Sequence, residues 1–213
     1  KLAEEQKGLV YAALGIHPWN VNQLESSELE QTVDFISASV NRRERIIAIG
    51  EIGLDSQYAK RTEHKEQQTR VFSEMLELAE RLALPAIIHS RWSAQEILDM
   101  LPSYRLRGTL WHWFSSPLDL LPRIEERGDY VSEGPPVVFS VEIRKVVQHV
   151  PLERLLTETD GPVRYQGPFR DKWTTPAFIP EVVKAISKTK KIEEFQVAER
   201  ILRNFADFFS IKL

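Results

Sequence analysis

Six apolar runs in this chain each stop at a polar, ligand-type side chain. Residues 11–16 lead to His17, 46–50 to Glu51, 85–88 to His89, 109–111 to His112, 129–132 to Glu133, and 154–159 to Asp160. A β-strand that delivers such a side chain at its end, repeated along one chain, predicts a barrel whose strand ends converge on one site. Glu51, His89, His112 and Asp160, two histidines and two carboxylates at such positions, form a metal-ligand set.

Helical patterns alternate with these runs. Thr62 to Leu82 places Val71, Phe72, Met75, Leu76, Ala79 and Leu82 on one face. Ser27-x-x-Glu30 and Ser93-x-x-Glu96 read as capping boxes. Ser116-Pro117 opens a further helix that Gly128 closes, and two more patterns lie near 180–189 and 193–209. This βαβα order implies a parallel sheet with helices outside it.

Spacing then favours a (β/α)8 TIM barrel, which uses roughly 31 residues per unit. Glu51 and His89 lie one unit apart, His89 and His112 a short unit, and His112 and Asp160 two compact units with the 129–135 strand between them. Counting back from a closing eighth strand at Leu155–Asp160 makes the first strand present the third. The first one or two βα units, roughly 60 residues at most, are then expected to be missing from this chain. Lys1 to Gly8, which reads as a helix tail closed by Gly8, agrees with that expectation.

Composition bounds the alternatives. With 213 residues and 42% hydrophobic content, residues 1–213 are expected to form one TIM-barrel domain, N-terminally incomplete. A net charge of −3 does not suggest a protein that coats nucleic acid by charge alone. Zero cysteines exclude disulfides and thiolate metal ligands, and suit a cytoplasmic setting. No apolar run approaches the roughly 20 residues of a membrane span.

Side chains alternate along a strand, so residues two apart share a face. His89 goes with Ile87, and His112 with Leu110; Trp111 and Trp113 take the opposite face and are expected in the core. Glu158 shares the inward face with Asp160, either orienting a ligand or serving as a buried structural acid.

Gly50-Glu51-Ile52-Gly53-Leu54-Asp55, Ile88-His89-Ser90-Arg91, His112-Trp113-Phe114-Ser115 and Glu158-Thr159-Asp160-Gly161-Pro162 resemble, in order and spacing, the TatD family of metal-dependent deoxyribonucleases. So does Gly15-Ile16-His17-Pro18, and the resemblance runs from about Val10 onward. It implies an amidohydrolase-like TIM barrel and a hydrolase that cleaves phosphodiester bonds of DNA with two divalent ions, zinc, manganese or magnesium. By carry-over Glu51 bridges the metals, His89 and His112 are ligands, and Asp160 binds metal or takes the proton of the attacking water. The implied substrate is DNA with single-stranded or frayed ends, attacked as by an exonuclease, and a monomer is favoured.

None of the five histidines forms the His-x-His pair with which the family opens. With that pair upstream of Lys1 the site is whole; without it one metal loses two ligands and the chain is a catalytically silent homologue. The remaining alternative is an amidohydrolase or lactonase acting on a small molecule. Arg91, Arg164 and Arg170, with Lys172, are expected near substrate phosphate, and His17 either contacts phosphate or shapes its turn. Trp19, Trp92 and Trp173 fall on mouth loops, where they either stack unpaired bases or form a hydrophobic lid. His64 and His149 read as surface residues, and Lys188 to Lys191 as a solvated helix end.

Overall fold

The computed structural model describes residues 2–6, 8–41 and 45–212, and of Ser26 only the backbone. The chain divides into two compact units, Lys1–Leu110 and Trp111–Leu213.

The first unit carries α1 (Leu2–Glu5), β1 (Ala12–Leu14), α2 (Ser26–Asn41), β2 (Ile46–Gly53), α3 (Thr62–Leu82), β3 (Ala86–His89) and α4 (Ala94–Met100). Strand β2 pairs in parallel with β1 on one side and β3 on the other. Its residues are almost all buried, as expected of a parallel strand covered on both faces. Helix α3 spans the expected residues and buries Val71, Phe72, Met75, Leu76 and Ala79. It ends at Ala83, left-handed at φ 52°, whose N–H returns to Ala79 O and Glu80 O. Gly8 follows α1 with φ 85°, the turn expected of it, while Lys1 and Lys7 of that predicted helix tail lie outside the described residues.

Neither capping box forms as read. The first turn of α2 is closed by Glu28, whose Oε2 accepts from Glu25 N at 2.9 Å, two residues upstream of the predicted pair. Ser93 precedes α4, but its hydroxyl turns back to Ser56 Oγ at 2.8 Å and donates to Arg91 O. Glu96 instead meets Lys65 Nζ at 3.0 Å. The two misreadings differ in cause: at α2 the reciprocal bond forms two residues upstream with Glu28, whereas at α4 the hydroxyl and the carboxylate both take tertiary partners.

Strand β4 (Thr109–Trp111) lies where the two units part. The second unit continues with α5 (Leu121–Glu126), β5 (Tyr130–Glu133), α6 (Val141–His149), β6 (Leu155–Thr157), α7 (Ile179–Lys190) and α8 (Glu194–Phe209). β5 and β6 pair in parallel, Glu133 opposite Thr157. Ser140 caps α6 by accepting from Ile143 N. Asn204 of α8 donates its amide to Leu152 O and Leu155 O, tying that helix to the start of β6.

Trp111, which ends β4, and Trp113, which follows it, do not share a face as alternation predicted. Trp111 is fully buried and donates Nε1 to Asp129 Oδ2 at 3.1 Å. Trp113 adopts φ 38°, so the strand has already ended. Its ring is only partly buried and lies 5.8 Å from that of Tyr165, beside Phe169 and Phe178.

Glycines set the closeness of β1, β2 and β3. A Cβ on Gly50 would meet Ile87 Cβ at 2.6 Å, and one on Gly53 would meet His89 O at 1.9 Å. Gly53 also takes φ 146°, open to glycine alone. We expect Gly53→Ala to lower stability by about 3 kcal/mol or more. Urea unfolding followed by circular dichroism measures it; an unchanged midpoint would contradict the close approach.

Candidate metal centre

In the first unit, three strand-end side chains meet. His17 follows β1, Glu51 lies within β2, and His89 ends β3. His17 Nε2 lies 3.3 Å from His89 Nδ1 and 3.5 Å from Glu51 Oε2, and His89 Nδ1 lies 3.7 Å from Glu51 Oε1. One ligand atom from each falls within 4.8 Å of the others.

Hydrogen bonds decide which of these nitrogens carry protons. Asp55, fully buried, accepts Trp19 Nε1–H at 2.6 Å on Oδ2 and the Gln57 and Tyr58 N–H groups on Oδ1. Acting wholly as an acceptor, it makes the His89 Nε2 at 3.0 Å a donor. His89 Nδ1 is then an acceptor, hydrogen-bonded to His17 Nε2 at 3.3 Å and 3.7 Å from Glu51 Oε1. His17 is set the other way: its Nδ1 accepts from Trp19 N at 3.2 Å, so Nε2 carries the proton. The trio therefore offers an imidazole lone pair, a carboxylate and one N–H. Lone pair and carboxylate are donors that suit a divalent ion, and the N–H suits an anion.

This loop is held from α3. Gln68, a buried polar residue on the apolar face of that helix, accepts from Asp55 N and donates to Pro18 O. The Trp19 ring stacks on Tyr58 at 4.8 Å and meets His17 edge-on at 4.8 Å.

The second unit repeats the arrangement with the nitrogens exchanged. His112 Nδ1 lies 2.7 Å from Glu158 Oε2, which also accepts the Ser132 hydroxyl. The proton so held on Nδ1 leaves Nε2 as the lone pair, 3.6 Å from Asp160 Oδ1. Asp160 sits past β6 in a left-handed conformation, φ 44°. Tyr165 donates its hydroxyl to Thr159 O. Its phenol is pushed up by burial, and further by the charges of Asp160 and Glu158, so it remains protonated.

Glu133, at the end of β5, is wholly buried, and neither carboxylate oxygen has a hydrogen-bond partner among the described residues. Burial pushes its pKa well up; the charge of Glu158 adds to this and His112 opposes it. Glu133 is thus a neutral acid beneath the His112–Glu158 pair.

Of the residues expected at substrate, Arg91, Arg164, Arg170 and Lys172 are all exposed. Arg164 stacks over Trp173 at 4.0 Å, and Arg170 donates to Gln166 Oε1 at 3.1 Å. Trp92 is 79% exposed, whereas Trp19 is engaged by Asp55. Two orienting residues went unassigned in the sequence reading. Asp55 was quoted only within its motif, since it follows the strand and alternation does not reach it. Gln68 left one trace, a lone amide in an otherwise apolar stripe.

Comparison with known proteins adds to this geometry. A family model described as TatD related DNase matches residues 1–210. An uncharacterized metal-dependent hydrolase of Methanocaldococcus jannaschii is 31% identical over 204 residues, covering 96% of this chain and 77% of that one. A human protein named as a deoxyribonuclease is 28% identical, covering 98% of this chain and 77% of its own. Among solved structures, a TatD homologue from Escherichia coli K12 superposes with TM-score 0.87 at 27% identity, covering 99% of this chain and 81% of that one. The α/β, TIM-barrel class expected from the strand ends therefore holds.

Burial of Glu133 has a measurable consequence. Its carboxyl ionises near ~4.3 when unfolded and higher when folded, so the parent loses stability as pH rises from that value toward the raised one. Glu133→Gln keeps the shape without the proton. The melting temperature of the parent is expected to fall relative to that of Glu133→Gln as pH rises above the unfolded carboxylate value toward the raised folded one, with the two curves parallel below it. Curves parallel throughout would contradict the buried neutral acid.

Proposed function

The chain belongs to the TatD related DNase family, and from that premise we propose that it hydrolyses phosphodiester bonds of DNA, as an exonuclease at single-stranded or frayed ends. Relatives named as metal-dependent hydrolases and a human relative named as a deoxyribonuclease support the reading. The observation that carries it is the pair of carboxylate-held imidazoles, His89 on Asp55 and His112 on Glu158, each with its other ring nitrogen within 3.7 Å of a second carboxylate, Glu51 or Asp160.

The donors present fit divalent ions. Glu51 and His89 in one unit, and His112 and Asp160 in the other, are the residues that would hold them. Two such ions, of zinc, manganese or magnesium, would supply a lowered water pKa and positive charge opposite the phosphate. Glu51 has two carboxylate oxygens to offer an ion beside the His89 ring. Asp160, partly exposed and beside the His112 lone pair, is placed to take a proton from an attacking water. His17, its Nε2–H directed away from Trp19, hydrogen-bonds a phosphate oxygen. Arg91, Arg164 and Arg170 supply counter-charge, and the exposed faces of Trp92 and Trp173 stack unpaired bases.

We further place the protein in the cytoplasm on its lack of cysteine, and read it as one hydrolase domain on its length and hydrophobic content. Among the described residues no helix is long and apolar enough to cross a membrane.

Asp160→Ala is expected to lower the rate of nucleotide release from a labelled single strand by at least about 10²-fold, with the far-ultraviolet circular dichroism spectrum unchanged. Release within a few-fold of the parent, with manganese supplied, would remove Asp160 from the chemistry.

A further inference from the structure

A cavity of about 680 Å³ opens in the second unit between α6 and α7. Val137, Val138, Val141 and Ala185 give it an apolar base. Arg144 and Lys145 of α6 and Lys184 and Lys188 of α7 line it with four cations, against the single acid Glu181. In a chain of net charge −3 this is a local reversal of sign. Lys145, Lys184 and Lys188 are exposed, and Val141 is 52% exposed on the same surface.

The helix-end lysines divide by role. Lys190 is half-buried and donates to Gln148 O and Val150 O, closing the end of α6. Burial lowers its pKa, with Glu153 opposing. Lys191 forms the left-handed cap of α7. Lys188 does neither and turns to the cavity. The run that reads in sequence as one solvated helix end thus contributes one cation to a groove.

The chain that floors the groove leads directly from the candidate site of this unit. Its base is the 3-10 turn Pro135–Val138, which begins directly after Glu133-Gly134 at the end of β5. The Arg144 guanidinium fixes that turn, donating Nη1–H to Val137 O and Val138 O at 3.2 Å each. On its other side Val138 packs on Tyr165, Phe169 and Phe178, beneath the loop that carries Arg164 and Arg170. A single turn therefore separates the groove from the loop that follows Asp160.

We propose that this α6–α7 groove binds the phosphate backbone of the substrate's single strand, leading it away from the site where it is cut. The inference rests on the phosphodiesterase reading and extends it. Charge selects the ligand: four cations over an apolar base favour a polyanion whose sugars offer apolar edges. A strand held this way binds without regard to sequence and loses affinity as salt rises.

The test is the triple variant Lys145→Glu, Lys184→Glu, Lys188→Glu, all three exposed residues outside the metal centre. Anisotropy of a fluorescein-labelled single strand of about 20 nucleotides gives Kd across a salt series, and release kinetics give KM. The variant is expected to bind at least about 10-fold more weakly, with the log Kd against log salt slope smaller by about 2, three phosphate contacts at about 0.7 each. Turnover of bis(p-nitrophenyl) phosphate, too small to reach the groove, is expected to match the parent. Equal Kd, KM and salt slope for parent and variant, with both cleaving the small diester, would overturn the groove and leave the phosphodiesterase reading standing. A parent that binds the strand through these lysines yet cleaves no diester would keep the groove and remove that reading. Competition by polyglutamate more effective than by the unlabelled strand would overturn the choice of ligand.

Discussion

An imidazole can give a lone pair to a metal only while its other nitrogen holds the ring proton, and in each unit a carboxylate does the holding. Asp55 takes the Nε2 proton of His89, and Glu158 takes the Nδ1 proton of His112. The two histidines present different nitrogens, yet the outcome is the same: an acceptor nitrogen near Glu51 in one case and near Asp160 in the other. Fixing tautomer and ring orientation before an ion arrives lowers the ordering cost of binding, and such partners tune ligand basicity. His17 follows the reverse logic. With Trp19 N–H on its Nδ1, it points a proton toward the same space and is better matched to a phosphate than to a cation.

The supporting structure serves these bonds. Asp55 is sealed from water, and its backbone N–H is held by Gln68 from α3, so that helix orients a metal-facing histidine through two intermediaries. Gly50 and Gly53 let β3 approach β2 closely enough for His89 and Glu51 to meet. In the second unit Ser132 and His112 share one oxygen of Glu158. Glu133, held neutral by burial, spares that pair a second negative charge nearby.

What was legible in the sequence follows the range of its physical signals. Strand ends announced themselves because an apolar run stopping at His or Glu is a local pattern, and α3, α7 and α8 because amphipathic periodicity survives over many residues. The resemblance in Gly50 to Asp55 and Glu158 to Pro162 identified the family from those same short stretches. Signals that depend on tertiary partners failed. Ser27 and Ser93 had cap spacing, but Glu28 and Ser56 supplied the actual bonds. Trp113 broke alternation because the chain turned at a positive φ that no neighbouring glycine advertised. The roles of Asp55 and Glu158 could not be separated from those of other acids until their histidine partners were in place. The α6–α7 groove was invisible because its cations come from two helices, far apart in sequence, that meet only on folding.

The central claim, that carboxylates preset these two histidines as metal donors, is tested most directly by long-range proton–nitrogen correlation spectra of the histidine rings, recorded without metal and during zinc addition. The account predicts His89 as the Nε2–H tautomer and His112 as the Nδ1–H tautomer, with zinc shifting His89 Nδ1 and His112 Nε2. Opposite tautomers in the metal-free protein, or ring nitrogens that do not respond to zinc, would contradict it.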